Sequence, residues 1–199
     1  MDQEQQQLNE LLLVRRRKME ALREKGVEPF GQKFEADHYS TEIIENFDAL
    51  EGKEVTIAGR LITIRSHGKA TFAHLQDYRG QIQIYLRQDQ VGPEQYEIFD
   101  LVDIGDFIGI KGEVFRTQRG EVTIKVNQYT YLAKALRPLP EKWHGLKDVE
   151  LRYRQRYVDM IVNREVRDTF VKRSRIISTM RDLLNSWGFL EVETPIMQT

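Results

Sequence analysis

The sequence predicts a mainly β domain with added α structure: a small five-stranded barrel, a helix ahead of it, and the opening of an α/β unit behind it. Three observations carry this expectation. From Lys53 to about Val126, apolar residues recur with a period of two. On both sides of that stretch the period becomes helical. Within it, Asp77-Tyr78-Arg79-Gly80 and Arg119-Gly120 supply the residues that close turns.

The elements follow in order. Leu8, Leu11, Leu12, Met19 and Leu22 fall at helical spacing, which predicts a helix over 8–25 that stops at Gly26 and Pro29. A short helix near 41–46, capped by Ser40 or Thr41, follows. Val55 and Ile57 open a first strand that runs through Leu61, Ile62 and Ile64, with Ala58-Gly59 as a bulge. In the second strand Thr71, Ala73 and Leu75 alternate with Phe72, His74 and Gln76. In the third, Ile82, Ile84 and Leu86 alternate with Gln81, Gln83 and Tyr85. Pro93 starts a helical run to about Val102. Ile108, Ile110 and Val114 mark a fourth strand, and Val122, Ile124 and Val126 a fifth. Five strands with a helix between the third and fourth is the order of an OB-fold barrel.

Arg137-Pro138-Leu139-Pro140 reads as a linker. Beyond it, Asp148 is placed to cap a helix whose face is Val149, Tyr153, Tyr157, Met160 and Ile161. Asn163 is placed to cap a longer helix with an apolar stripe of Val166, Phe170, Ile177, Met180, Leu184 and Trp187, ended by Gly188. Glu191-Val192-Glu193 reads as extended before Pro195. A long amphipathic helix followed by one strand cannot bury itself, so either a partner covers it or the natural protein continues; the second is the expectation.

Composition narrows the function classes. The chain has 199 residues, 40% of them apolar, enough for one large or two small domains with a real core. It has no cysteine, which excludes disulfides, zinc–thiolate sites and a thiol nucleophile, and fits a reducing cytosol. The polar, acidic start is unlike a secretory signal, and no apolar run is of membrane-spanning length. A soluble, cytoplasmic protein is expected. The net charge of −1 hides blocks of one sign. Arg15, Arg16, Arg17, Lys18, Arg23 and Lys25 outnumber two glutamates over 15–25. Arg60, Arg65, Lys69, Arg79 and Arg87 oppose Asp77 alone over 60–87, and 89–106 is acidic throughout. Such a block is either a solvated surface or a local polyanion site. For the basic helix the two readings are contact with a nucleic-acid backbone and packing against the barrel.

The alternation places Phe72, His74 and Gln76, and likewise Gln81, Gln83 and Tyr85, outside the barrel. The hairpin then brings Phe72 and Gln83 within direct or diagonal reach on one outer face. A large ring on a polar face needs a cover. One reading is an unpaired nucleobase, stacked at about 1–3 kcal/mol and read at its edge by the glutamine. The other is a segment such as the N-terminal helix. Arg65 offers a phosphate or base contact, or is simply solvated. Glu121 accepts hydrogen bonds only, so near RNA it reads donors; alone it is a surface carboxylate. His67, His74 and His144 lack metal-ligand spacing, and no metal site is expected. Gly105, Gly109, Gly112 and Gly120 punctuate strands and do not form a phosphate loop.

Gly59-Arg60, Gly68-Lys69-Ala70-Thr71-Phe72-Ala73-His74-Leu75-Gln76-Asp77 and Gly80-Gln81-Ile82-Gln83 together resemble the anticodon-binding domain of class II lysyl-, aspartyl- and asparaginyl-tRNA synthetases. The resemblance implies that Phe72 and Gln83 hold the central anticodon uridine. It adds Arg65 and Glu121 at the places where lysine-specific members use an arginine and a glutamate. Lys134 to Pro140, Trp143-His144-Gly145-Leu146 and Arg152 to Asp159 resemble the junction of the bacterial-type lysyl enzymes, where aspartyl enzymes differ. Gly188 to Pro195 resembles class II motif 1.

What the resemblance implies is the opening part of a lysyl-tRNA synthetase. It implies four segments: a helical segment over 1–52, the OB-fold anticodon domain over 53–135, a linker over 136–147, and the incomplete start of the α/β catalytic domain over 148–199. It implies tRNA-Lys, through its anticodon stem-loop, as partner. It implies a homodimer through Phe170, Ile177, Trp187, Phe189 and Pro195, and ATP and Mg²⁺ for the full-length enzyme. Motifs 2 and 3 fall beyond residue 199 in such enzymes, so no catalytic residue is expected here and this chain alone is expected to be inactive. The rival expectations are a free-standing OB-fold RNA-binding module, an aspartyl or asparaginyl fragment, and a protein-binding barrel with no RNA role.

Overall fold

The computed structural model describes residues 3–31, 33–140, 146 and 148–197. Trp143, His144 and Gly145, with the rest of 141–145 and 147, lie outside the described residues. The chain divides into two units, residues 1–138 and 139–199.

In the first unit, helix α1 (Gln3–Glu24) precedes two short helices, α2 (Ser40–Glu45) and α3 (Phe47–Leu50). Five strands follow: β1 (Glu54–His67), β2 (Ala70–Gln76), β3 (Gln81–Arg87), β4 (Phe107–Arg116) and β5 (Val122–Ala133). Helices α4 (Gln88–Val91) and α5 (Pro93–Phe99) stand between β3 and β4. The strands close a barrel in the order β1-β2-β3-β5-β4, with β4 pairing back onto β1. Only β3 and β5 run parallel, through Gln83–Thr123, Ile84–Ile124 and Tyr85–Lys125. This is the predicted five-stranded OB-type barrel.

The predicted inward residues fill it. Val55, Ile57, Leu61, Ala73, Leu75, Ile82, Ile84, Leu86, Ile108, Ile110, Ile124 and Val126 are all buried, and Tyr96, Ile98 and Phe99 of α5 join them. Each fully buried aliphatic side chain contributes roughly 1.5–3 kcal/mol.

Three local expectations are corrected. The irregularity in β1 falls between Leu61 and Thr63, not at Ala58-Gly59. Gly59 is small for another reason: an added Cβ would run into the Gln76 carbonyl on the neighbouring strand. The cap of α2 is Tyr39, whose backbone N–H donates to the Glu42 carboxylate at 3.0 Å. Ser40 is inside the helix, and its hydroxyl donates to Asp77 instead. The stripe of α1 is buried only at its end, where Leu22 is sealed, while Leu8 and Leu11 are exposed.

Arg15, by contrast, is buried. Its guanidinium donates to the carbonyls of Ala135, Arg137 and Ile104 at 2.6, 3.2 and 2.9 Å. Two carboxylates of the acidic block pair with the basic segment. Lys18 donates to Asp103 at 2.6 Å, and Lys25 to Glu97 at 3.2 Å. Behind them Lys134, with no exposed side-chain surface, donates to Asp103 at 2.6 Å and to the equally buried Asp106 at 2.7 Å. Asp106 also accepts from the Tyr131 hydroxyl and from the Asp103 and Ala135 N–H groups. The helix 15–25 therefore packs against the barrel through Arg15, Lys18 and Lys25, and leaves Arg16, Arg17 and Arg23 exposed.

In the second unit, the single predicted helix after Asp148 is two short ones, α6 (Val149–Arg154) and α7 (Arg156–Val162). Gln155 breaks them, with φ −114° and ψ 53°. Val149, Tyr153 and Tyr157 are exposed and form no buried face. Asp148 is the cap, accepting from Leu151 N–H at 2.7 Å. Buried Asp159 gathers Arg152, Arg156 and Asn163, so the Asn163 side chain bonds Asp159 and does not cap the next helix. Helix α8 (Arg164–Ser186) carries the predicted stripe. Val166, Phe170 and Ile177 are half-buried, while Met180, Leu184 and Trp187 are exposed. Gly188, at φ +86°, ends it, with Phe189 N–H returning to the Leu184 carbonyl at 3.1 Å. Glu191-Val192-Glu193 is not a strand, since no described segment pairs with it.

Two outcomes are expected. Lys134→Ala leaves the buried Asp106 carboxylate without its cation, so chemical denaturation should show a loss of about 3–5 kcal/mol. Burial alone would raise the Asp103 carboxyl, but hydrogen bonds from Lys134 and Lys18 outweigh it and hold it below the ordinary 3.8. A depressed carboxylate contributes stability above its unfolded value and loses it as pH falls through the folded one. Thermal melts should therefore weaken below pH 3.8, and Asp103→Asn should flatten that part of the profile.

Candidate nucleic-acid interface

The hairpin β2–β3 positions the site. Asp77 N–H donates to the Gly80 carbonyl at 3.0 Å, and the Asp77 carboxylate accepts from Arg79 and Gly80 N–H, both at 2.7 Å. The same carboxylate takes Ser40 N–H at 2.5 Å and the Ser40 hydroxyl at 2.9 Å, tying α2 to the turn. With the turn closed this way, Phe72 stands opposite Tyr85 and His74 opposite Gln83. Phe72 and Gln83 are thus diagonal neighbours on the outer face. Thr71, Ala73 and Leu75 between them are sealed in the core, and Phe72, His74, Gln83 and Tyr85 are half-buried.

The rings of Phe72 and Tyr85 stack at 4.4 Å between centroids with planes 25° apart. Phe115 continues the row, 6.3 Å from Tyr85. On the other side of Phe72, Arg65 of β1 is its cross-strand partner, and its exposed guanidinium has no bonded neighbour among the described residues.

Gln83 is held at both ends of its amide. Its Nε2 donates to Glu121 Oε2 at 2.7 Å, and its Oε1 accepts from the Thr123 hydroxyl at 2.8 Å. The other Glu121 oxygen lies 3.0 Å from His74 Nε2, and His74 Nδ1 lies 2.7 Å from the Thr63 hydroxyl. A carboxylate only accepts, so Nε2 carries the proton, and in the neutral ring Nδ1 accepts from Thr63. Glu121 itself is placed by the turn before β5. Its N–H donates to Thr117 Oγ1 at 3.1 Å and its carbonyl accepts Thr117 N–H at 3.0 Å.

The fold therefore brings Arg65, Phe72, Gln83 and Glu121 onto one outer face. Two hollows flank the rings and the amide. One of about 340 Å³ is lined by Ile44, His74, Gln83, Arg116 and Glu121; another of about 730 Å³ by Lys69, Tyr85, Arg87 and Asp89. The surface offers aromatic planes, an oriented amide, one carboxylate and open cations, a set suited to unpaired bases. Sequence reasoning missed Tyr85, Thr63 and Thr123 as members. Counting back from the Asp77 turn pairs Tyr85 with Phe72, so that signal was present. Thr123 comes from the parallel β3–β5 pairing, which no local pattern announces. The predicted dimer residues lie in the second unit: Phe170 and Ile177 are half-buried, and Trp187, Phe189 and Pro195 are exposed.

Among the described residues, no group of three or more histidines and carboxylates is placed to hold a metal ion, and no helix is long and apolar enough to cross a membrane.

Comparison with known proteins adds two family matches. Residues 55–132 match the OB-fold nucleic acid binding domain of the tRNA anti-codon family, and residues 148–199 match tRNA synthetases class II (D, K and N). The chain is 59% identical over 194 residues to the lysine–tRNA ligase of Carboxydothermus hydrogenoformans, covering 98% of this chain and 40% of the relative. It is 59% identical over 189 residues to that of Moorella thermoacetica, covering 95% and 39%. It is 53% identical over 201 residues to that of Oceanobacillus iheyensis, covering 98% and 41%. The chain spans about two-fifths of the length of these curated relatives.

Proposed function

We propose, from the premise that the chain belongs to the class II tRNA synthetases of the D, K and N group, that it is the anticodon-reading part of a lysine–tRNA ligase. The observation that carries the reading is the pairing on one outer face of a half-buried Phe72 ring with the held amide of Gln83. Tyr85 backs the ring on one side. An unpaired anticodon base stacks on the aromatic row, which favours any base. The Gln83 edge chooses among bases, Arg65 meets a flanking base or phosphate, and Glu121 accepts from an imino or amino group.

For the whole protein the reading is lysine activation with ATP and Mg²⁺, transfer to tRNA-Lys, and a cytoplasmic location. Among the described residues no group of three or more histidines and carboxylates is placed for a metal ion, and no chemical step is assigned to this chain. The apolar residues Phe170, Ile177, Trp187, Phe189 and Pro195 are assigned to a homodimer face.

The test is binding of anticodon stem-loops. A loop with UUU should bind more tightly than one with GUC, and affinity should fall steeply with added salt. Phe72→Ala should cost on the order of 1–3 kcal/mol in titrations against the UUU loop. Equal binding of both loops, or an unchanged affinity in Phe72→Ala, would sink the reading.

A further inference from the structure

We propose that Glu121, steadied by His74, acts through Gln83 as a positioning residue. It fixes which way the Gln83 amide faces and thereby selects uracil over cytosine at the base that Gln83 reads. This rests on the anticodon-reading role proposed above.

The need for such a device follows from the chemistry of an amide. A glutamine side chain offers one N–H edge and one carbonyl edge. Uracil presents a carbonyl acceptor beside the N3–H donor; cytosine presents an amino donor beside the N3 acceptor. An amide free to make a half-turn about its last bond satisfies either base. Gln83 can therefore distinguish the two only if something outside the base forbids the half-turn.

The network supplies that constraint at one end and not at the other. Facing Nε2 stands the Glu121 carboxylate, at 2.7 Å. It has no proton to give, so a turned amide would set two acceptors against each other and leave both unpaired. Facing Oε1 stands the Thr123 hydroxyl, at 2.8 Å. A hydroxyl can accept as well as donate, and Thr123 has the Glu121 carbonyl at 3.2 Å as a second place for its proton. Thr123 thus tolerates either orientation, and Glu121 tolerates one.

A carboxylate on a half-exposed side chain (48%) would be a loose constraint if it could swing away. His74 prevents this by taking the other oxygen at 3.0 Å, and Thr63 holds the His74 ring from behind at 2.7 Å. With one N–H given to Glu121 and one lone pair filled by Thr123, Gln83 keeps one donor and one acceptor for the base. Their order is set before the base arrives.

The experiment compares stem-loops carrying UUU and UCU, which differ only at the central base, using this whole chain. The wild type should prefer UUU. Glu121→Gln, which can turn its own amide to face Gln83 as donor or acceptor, should reduce that preference by about tenfold or more. His74→Phe should reduce it in the same direction by less. Thermal melts serve as the folding control. If Glu121→Gln folds poorly, the change at half-buried His74, His74→Phe, still reports on the constraint. A lowered affinity for both loops in parallel, with the UUU to UCU ratio intact in Glu121→Gln and His74→Phe, would overturn the proposal while leaving the anticodon-reading role standing. A wild type that binds the two loops equally, or binds neither, overturns that role and this inference with it. An intact UUU to UCU ratio in Glu121→Gln, with the change confined to a neighbouring anticodon base, leaves Glu121 only its direct contact there and rejects its action through Gln83.

Discussion

The site depends on the register of one hairpin, and that register is held by the carboxylate of Asp77. In a β-strand a slip of one residue sends every side chain to the opposite face. Here such a slip would turn Phe72 and Gln83 inward and push Ala73 and Ile84 out. Asp77 opposes it by bonding the N–H groups of Arg79 and Gly80 within the turn and Ser40 from α2 outside it. The alternation of β2 and β3 adds the weight of six sealed core residues to the same register. Local turn chemistry and core burial agree, which is the condition for a single stable pairing.

From that register the outer face is built with little left to adjust. Phe72 rests against Tyr85, and the Gln83 amide is bonded at both ends. The carboxylate beside it is bonded at both oxygens, by Gln83 and His74. A ligand meeting this surface does not have to order those side chains, which saves part of the entropy that association otherwise costs. At the other end of the barrel, the ion network of Lys18, Asp103, Asp106 and Lys134 does different work. It fastens α1 to the segment that leaves β5. That explains why much of the basic helix turns its charge toward the protein. The cations left open, Arg16, Arg17 and Arg23 on the helix and Arg65 beside Phe72, lie outside that network.

The barrel was readable because it rests on short-range signals: period-two alternation, Asp77-Tyr78-Arg79-Gly80, and Pro93 opening a helix. What could not be read is what depends on distant parts of the chain meeting. The parallel pairing of β3 with β5 puts Thr123 beside Gln83, and nothing near either residue signals it. Glu121 was selected through resemblance, and its bond to Gln83 appeared only in the fold. Gly59 shows a second limit, because the same small residue marks a bulge or a close strand approach, and here it marks the approach. In the second unit the long helix and its Gly188 stop were legible. The break at Gln155 was not, since Tyr153 and Tyr157 kept helical spacing across it. Exposed Leu8 and Leu11 show that spacing gives a helix its face without saying what meets that face.

The central claim is that an unpaired base lies against the Phe72 ring with Gln83 at its edge. Intermolecular nuclear Overhauser effects between this chain and a UUU anticodon stem-loop test it most directly. The account predicts cross-peaks from the Phe72 ring protons to H5 and H6 of the central uridine, and from the Gln83 side-chain amide to its imino proton. Cross-peaks from that uridine to a different face of the barrel, with none to Phe72 or Gln83, would contradict it.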